Sequence, residues 1–279
     1  MTRDHPITTE PPDRVIFIHI PKAAGTTIDA IAVRQYRRRE ILRIPGGIGR
    51  THLPQLVDAT TIRFVIGHVD YGIHRQLPGR NTYITMMREP IRRVLSLYRY
   101  IVSSPQHALH DVVRNQDLID FVSGAADTAE IVNGQTRQIA GLAQGSPNRG
   151  TLALAQRNLA ENFVAVGIAE RFDTSMILFR RRLHWQMPFY VAKNVTRSGS
   201  LDLPTKEAIA LIRSRNALDS ELYRFANNLL DEQIHRERFF RAEVTAFRLL
   251  NSAARTSRMR RARTRASIER LPNRESGSW

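Results

Sequence analysis

Four short, continuously apolar runs stand out along the first 170 residues: Val15 to Ile20 (VIFIHI), Ile62 to Gly67 (IRFVIG), Thr82 to Met87 (TYITMM) and Phe163 to Ile168 (FVAVGI). Each is too short for a globular helix and lacks the alternation of a strand with one wet face, so the pattern predicts buried strands. The first ends at Pro21, a breaker, and Thr26 to Arg38 then reads as a helix. Beyond residue 150 the period changes. Leu152 to Asn162, Thr174 to Leu183, Thr205 to Arg213 and a long segment from Asn216 to about Asn251 carry apolar residues at helical spacing. In the last of these, Leu218, Leu222, Phe225 and Leu229 share one face, and Asp219 and Glu221 occupy a first turn where the helix dipole favours negative charge. Strands separated by helices predict an α/β fold with a parallel sheet flanked by helices and a mostly helical C-terminal half. Ligands collect at the carboxyl ends of strands in such a sheet.

No internal repeat interrupts this order. Residues 1–12 form a polar, proline-bearing extension, residues 13–254 one domain, and residues 255–279 an Arg-rich, apolar-poor tail expected to be disordered. The 42% hydrophobic content of 279 residues is ample for a core. Cysteine is absent, which removes disulfides, thiolate metal sites and thiol nucleophiles. A metal would have to rest on His and carboxylates, and with no carboxylate cluster at ligand spacing none is expected. With no apolar signal segment near Met1 and no run of about 18 apolar residues, the chain is expected to be soluble and cytoplasmic. The net charge of +16 points to a polyanionic or phosphate-rich partner. The tail holds eight Arg against Glu269 and Glu275, so the body is basic without it.

Candidate chemistry gathers where predicted strands stop. After the first comes Pro21-Lys22-Ala23-Ala24-Gly25-Thr26-Thr27, a turn opening directly into a helix. Unpaired N–H groups at a helix start, the dipole, and a glycine that lets backbone approach closely make an anion cradle. Thr26 and Thr27 add hydroxyls and Lys22 a mobile charge. The order differs from the nucleotide-hydrolase loop, where Lys follows the second Gly. A helix cap with a solvated lysine is the plain alternative. A second constellation is Met87-Arg88-Glu89-Pro90-Ile91-Arg92-Arg93-Val94-Leu95-Ser96. Pro90 suits a first helical position, which puts Arg88 at a strand end and sets Arg92, Ser96, Arg99 and Ser103 on a polar stripe opposite Ile91, Leu95, Tyr98 and Val102. Arg88 and Ser96 can converge on one anion, a guanidinium bonding two oxygens at once. Third, the Ile62 to Gly67 run delivers His68, an imidazole that titrates near neutrality and can take a proton from a hydroxyl. His74 is the reserve, and Asp70 either orients His68, meets an acceptor or caps a helix. His19 falls inside the first strand.

Ile18 to Thr27 resembles the 5′-phosphosulfate loop of the carbohydrate sulfotransferases that use 3′-phosphoadenosine 5′-phosphosulfate (PAPS), and the Arg88 to Ser96 stretch is similar to the family's 3′-phosphate-binding segment. Asn133 to Gly141, Phe163 to Phe172 and Asp219 to Tyr223 look like later segments of its bacterial members. The resemblance implies a P-loop-like sheet and sulfuryl transfer to a hydroxyl of a carbohydrate or glycoconjugate. It assigns Lys22 to the 5′-phosphosulfate and its bridging oxygen, and Ala23, Ala24, Gly25, Thr26 and Thr27 to the phosphate cradle. Arg88 and Ser96 would hold the 3′-phosphate, Arg197 complete the nucleotide pocket, and His68 act as general base; Arg137 would face acceptor or core. A glycan is the implied partner and a stable nucleic-acid partner is not, while the tail could touch a polyanion or membrane surface. A nucleotide-dependent kinase and a non-enzymatic polyanion- or nucleic-acid-binding protein are the competing readings.

Overall fold

The computed structural model of the chain describes residues 13–44, 59–124, 130–191 and 203–268, with side chains as far as residue 254. Five strands, β1 (Arg14–Ile18), β2 (Ile41–Ile44), β3 (Phe64–Gly67), β4 (Asn81–Met87) and β5 (Phe163–Ile168), form one sheet in the order β2-β3-β1-β4-β5, every pairing parallel. The helices are α1 (Gly25–Ala32), α2 (Pro90–Val102), α3 (His110–Val113), α4 (Leu118–Gly124), α5 (Gly134–Ala140), α6 (Arg149–Asn162), α7 (Phe172–Leu183), α8 (Lys206–Arg215), α9 (Ala217–His235) and α10 (Phe240–Ile268). The α/β class, the parallel sheet and the helical C-terminal half follow the hydrophobic pattern.

The central strand explains the continuous apolar runs. β1 is buried along its whole length between β3 and β4, with Ile16, Phe17 and Ile18 fully enclosed, so neither face tolerates a polar alternation. Ile18 stands level with Gly67 of β3 and Thr85 of β4, and Met87 level with Ile168 of β5. The carboxyl ends of four strands therefore open on one edge, and β1 lies where the chain switches from one side of the sheet to the other. A second, smaller core unites Val94, Leu97 and Ile101 of α2 with Val113, Phe121, Val122, Ile131 and Ile212.

Four expectations need correction. β2 was not expected; it is a four-residue edge strand whose Arg43 turns outward to pair with Asp29 of α1 at 2.9 Å. The segment from Asn216 to about Asn251 is two helices, not one. Phe239, in the left-handed conformation, breaks it, and the corner is clamped by α7, whose Arg181 reaches Glu237 at 2.8 Å and Glu243 at 2.7 Å. Helix α10 crosses the boundary expected at Arg255 and continues to Ile268, as its Ala- and Arg-rich sequence permits. On α2 the deeply buried face is Val94, Leu97 and Ile101, with Ile91, Leu95, Tyr98 and Val102 only partly covered.

That buried face includes a charge. Arg93 and Asp219 are both fully enclosed, with Arg93 Nη2 3.6 Å from Asp219 Oδ2, a charge contact rather than a hydrogen bond. The Asp219 carboxylate instead accepts from Gln135 N (3.2 Å), Thr136 N (2.7 Å) and Thr136 Oγ1 (2.8 Å), so it caps α5 rather than serving its own helix. Asn133 returns the favour, accepting from Asp219 N at 3.1 Å, while Asn216 Oδ1 accepts from Asn133 N at 2.9 Å. The starts of α5 and α9 thus satisfy one another.

Candidate active site

The loop after β1 departs from ordinary backbone geometry. Lys22 (φ 66°) and Ala24 (φ 67°) are both left-handed, and Ala24 is the residue on which α1 begins. An L-residue pays about 1–2 kcal/mol for that conformation, so two in three positions mean the surroundings dictate the curl. Gly25 is required for space. A Cβ there would sit 2.0 Å from both Cδ2 and Nε2 of His19. Gly25→Ala is therefore expected to displace His19 and the loop together and to weaken phosphoanion binding at least tenfold, measured by titration calorimetry with adenosine 3′,5′-bisphosphate.

A cavity of about 580 Å³, a size suited to a nucleotide, opens at the strand ends. Lys22, Ala24, Gly25, Thr26 and Thr27 line it from the loop, His68 from the end of β3, Arg88 from the end of β4, Arg92 and Ser96 from α2, and Glu170 from the end of β5. Glu89 caps α2 with its carboxylate, accepting from Ile91 N (3.2 Å) and Arg92 N (2.8 Å), and Pro90 begins the helix, which fixes the distance from Arg88 to Ser96. Arg88 Nη1 donates to the carbonyl oxygen of Lys22 at 2.8 Å, and its Nε lies 4.0 Å from Glu170. Glu170 is anchored in turn by the Tyr223 hydroxyl at 3.0 Å. The Lys22 ammonium rests over the Tyr100 ring, 3.9 Å from its centroid, and burial, then the nearby Arg88 charge, lowers its pKa. Both cations thus sit in one cavity with little freedom to wander.

Three imidazoles line the cavity, those of His19, His68 and His107, and the structure separates the abilities of the first two. His19 is stacked between Phe17 and His68, 4.3 Å from the latter ring. Burial, followed by His68 and Lys22, drives its pKa down to about 3, so it stays neutral and is too weak a base for useful proton abstraction near pH 7. His68 Nδ1 lies 2.9 Å from the carbonyl oxygen of His19. A carbonyl only accepts, so Nδ1 carries the proton and Nε2 is the nitrogen able to receive one.

The expected cradle is otherwise nearly complete, with one exception. Ala23 is buried in the core, does not line the cavity, and commits its N–H to the carbonyl of Ile20 at 3.2 Å. The alternating left-handed residues turn its side chain inward. His74 is bound to the Tyr83 hydroxyl at 2.7 Å and Asp70 is buried, and neither reaches the cavity wall. Arg137 donates to the carbonyls of Leu142 (3.1 Å) and Gly145, closing the turn after α5. Arg197 lies outside the described residues. Glu170, Tyr100, His107 and Glu130 line the cavity without having been singled out. Glu170 lies two residues past the end of β5, in the turn Ala169–Arg171, and its residue type alone does not mark it.

The decisive feature is that Lys22 and Arg88, sixty-six residues apart in sequence, meet at 2.8 Å in the same cavity. The profile of the galactose-3-O-sulfotransferases matches residues 3–266. The chain belongs to that family. Among its relatives, heparan-sulfate 6-O-sulfotransferase 3-B of Danio rerio is 26% identical over 283 residues, covering 82% of this chain and 66% of that protein. Galactose-3-O-sulfotransferase 3 of Mus musculus is 27% identical over 234 residues, covering 75% and 54%, and that of Homo sapiens 26% over 247, covering 78% and 57%. The chain thus spans between half and two thirds of the length of these sulfotransferases.

Proposed function

We infer that this chain transfers a sulfuryl group from PAPS to a hydroxyl of a carbohydrate acceptor. The observation that carries the reading is the single cavity holding Lys22, Arg88 and His68. The residues fit the donor. Lys22 and the loop that begins α1 offer a cation and helix-start amides to one anionic end, and Arg88, Arg92 and Ser96 offer a guanidinium pair and a hydroxyl to the other.

The donor supplies the sulfuryl group and departs as adenosine 3′,5′-bisphosphate. His68 Nε2 takes the acceptor proton as the acceptor oxygen bonds to sulfur and the bond from sulfur to the bridging phosphate oxygen breaks. Lys22, held near by the Tyr100 ring, stabilises the charge that grows on that oxygen. Arg88, fixed between the Lys22 carbonyl and Glu170, keeps the nucleotide in register.

Calorimetry separates this reading from a kinase. The protein should bind adenosine 3′,5′-bisphosphate without metal and more tightly than ATP with magnesium. Arg88→Ala should weaken the former by about ten- to hundredfold, the worth of a hydrogen bond to a charged group. Tighter binding of magnesium ATP, unaffected by Arg88→Ala, would reverse the assignment. Turnover is then assayed with radiolabelled donor on a terminal galactoside and on a desulfated heparin, the acceptor classes named in its relatives.

A further inference from the structure

Helix α5 does not line the cavity, yet it holds the backbone at Arg88, at Val69 and at the His19 carbonyl that anchors the His68 ring. Gln135 is fully buried and brackets Arg88: its Nε2 donates to the Arg88 carbonyl at 2.9 Å, and its Oε1 accepts from the Arg88 N–H at 3.0 Å. Arg88 stands one residue past the end of β4, where the ladder has stopped, and the glutamine amide takes the place of the missing rung. Gln138, 1% exposed, does the same for the other two strands. Its Nε2 donates to the carbonyls of Val69 (2.8 Å) and His19 (3.2 Å), and the backbone carbonyl of Gln138 accepts from Tyr71 N at 2.9 Å. The His19 carbonyl is the acceptor that fixes the His68 ring. Three residues apart, the two side chains share one face of the helix.

We propose that Gln135 and Gln138 are positioning residues that divide the work of the cavity: Gln135 sets Arg88 and so the grip on the nucleotide, and Gln138 sets the His19 carbonyl and so the tautomer and aim of His68. The inference rests on the sulfuryl-transfer reading above. An amide that only filled space would be interchangeable with methionine, which has nearly the same volume. These two instead direct their side-chain hydrogen bonds to the backbone of Arg88, of Val69 next to His68, and of His19, whose carbonyl orients the His68 ring. Displacing a reacting group by about 1 Å can cost a hundredfold in rate, so a carbonyl that steers an imidazole has leverage out of proportion to one bond.

The test is a double dissociation. In Gln135→Met the dissociation constant for adenosine 3′,5′-bisphosphate should rise about tenfold, while kcat at saturating donor stays close to wild type. In Gln138→Met kcat should fall about ten- to hundredfold with nucleotide affinity preserved. Thr136→Val, which removes a hydrogen bond from the same helix to Asp219 and touches no strand end, should lower the thermal midpoint without moving either quantity. If either methionine variant fails to fold, Gln135→Asn and Gln138→Asn keep the amide but draw it back by one methylene, and the same split is expected. Equal loss of affinity and turnover in both variants, or loss of neither as in Thr136→Val, would reduce α5 to scaffolding and overturn the proposal. Failure of the wild-type chain to bind adenosine 3′,5′-bisphosphate at all would instead overturn the reading of the cavity on which it stands.

Discussion

Replacing His68 by alanine lowers turnover by about a hundred- to ten-thousandfold, the usual contribution of a positioned general base, and leaves affinity for adenosine 3′,5′-bisphosphate nearly intact. The separation follows from the geometry. On the proposed reading Lys22, Arg88, Arg92 and Ser96 would address the nucleotide's anionic groups, whereas His68 projects from the end of a different strand and is steered by a backbone carbonyl. Lys22→Ala should give the complementary result, losing turnover and binding together, because on that reading the same ammonium would meet the donor before and during transfer. His19 cannot substitute for His68, since its enclosed ring stays neutral down to about pH 3. Single-turnover assays with radiolabelled donor, paired with calorimetry, check both variants. Normal turnover in His68→Ala would move the base elsewhere.

Replacing Asp219 by alanine should destabilise the fold by about 3–5 kcal/mol, because it removes the stronger counter-charge of the fully buried Arg93 and leaves only the weaker influence of Glu130. The lost cap on α5 adds about 1 kcal/mol more. Arg93→Met combined with Asp219→Leu tests the division. Removing both charges should recover much of the loss, since an apolar pair of similar volume often matches a buried ion pair, but the capping share should remain. Urea denaturation midpoints for the two single variants and the double variant supply the cycle. A loss below about 1 kcal/mol in Asp219→Ala would show that Arg93 finds another partner or water when the carboxylate is gone.

The elements that were legible in the sequence are those whose burial left a mark on composition. β1, β3 and β4 lie inside the sheet and β5, at its edge, is covered by α7 and α9, and their apolar runs gave their positions to within two residues; Arg88 and His68 followed as the first polar residues beyond the ends of β4 and β3. β2 left no comparable mark, being a four-residue edge with Arg43 at its centre. The break between α9 and α10 was hidden because its cause lies elsewhere in the chain, in Arg180, Arg181 and Arg182 of α7 reaching for Glu237 and Glu243. Asp219 was read as a helix-dipole residue since its partners, at 93, 135 and 136, are remote in sequence. Gln135 and Gln138 act through backbone atoms, which no side-chain pattern announces. Tyr100 and Glu170 were overlooked for a simpler reason, as neither residue type is diagnostic outside the cavity that assembles them.

The resting place of Lys22 bears on how the site fills. With its charge parked on the flat of Tyr100 and its own carbonyl gripped by Arg88, the lysine is neither loose in solvent nor locked to a carboxylate that an incoming anion would have to evict. Capture then calls for a short swing of one side chain from a ring to an oxygen. Little ordering of this side chain remains to be done when the ligand arrives, so the cost of fixing it is largely met in advance.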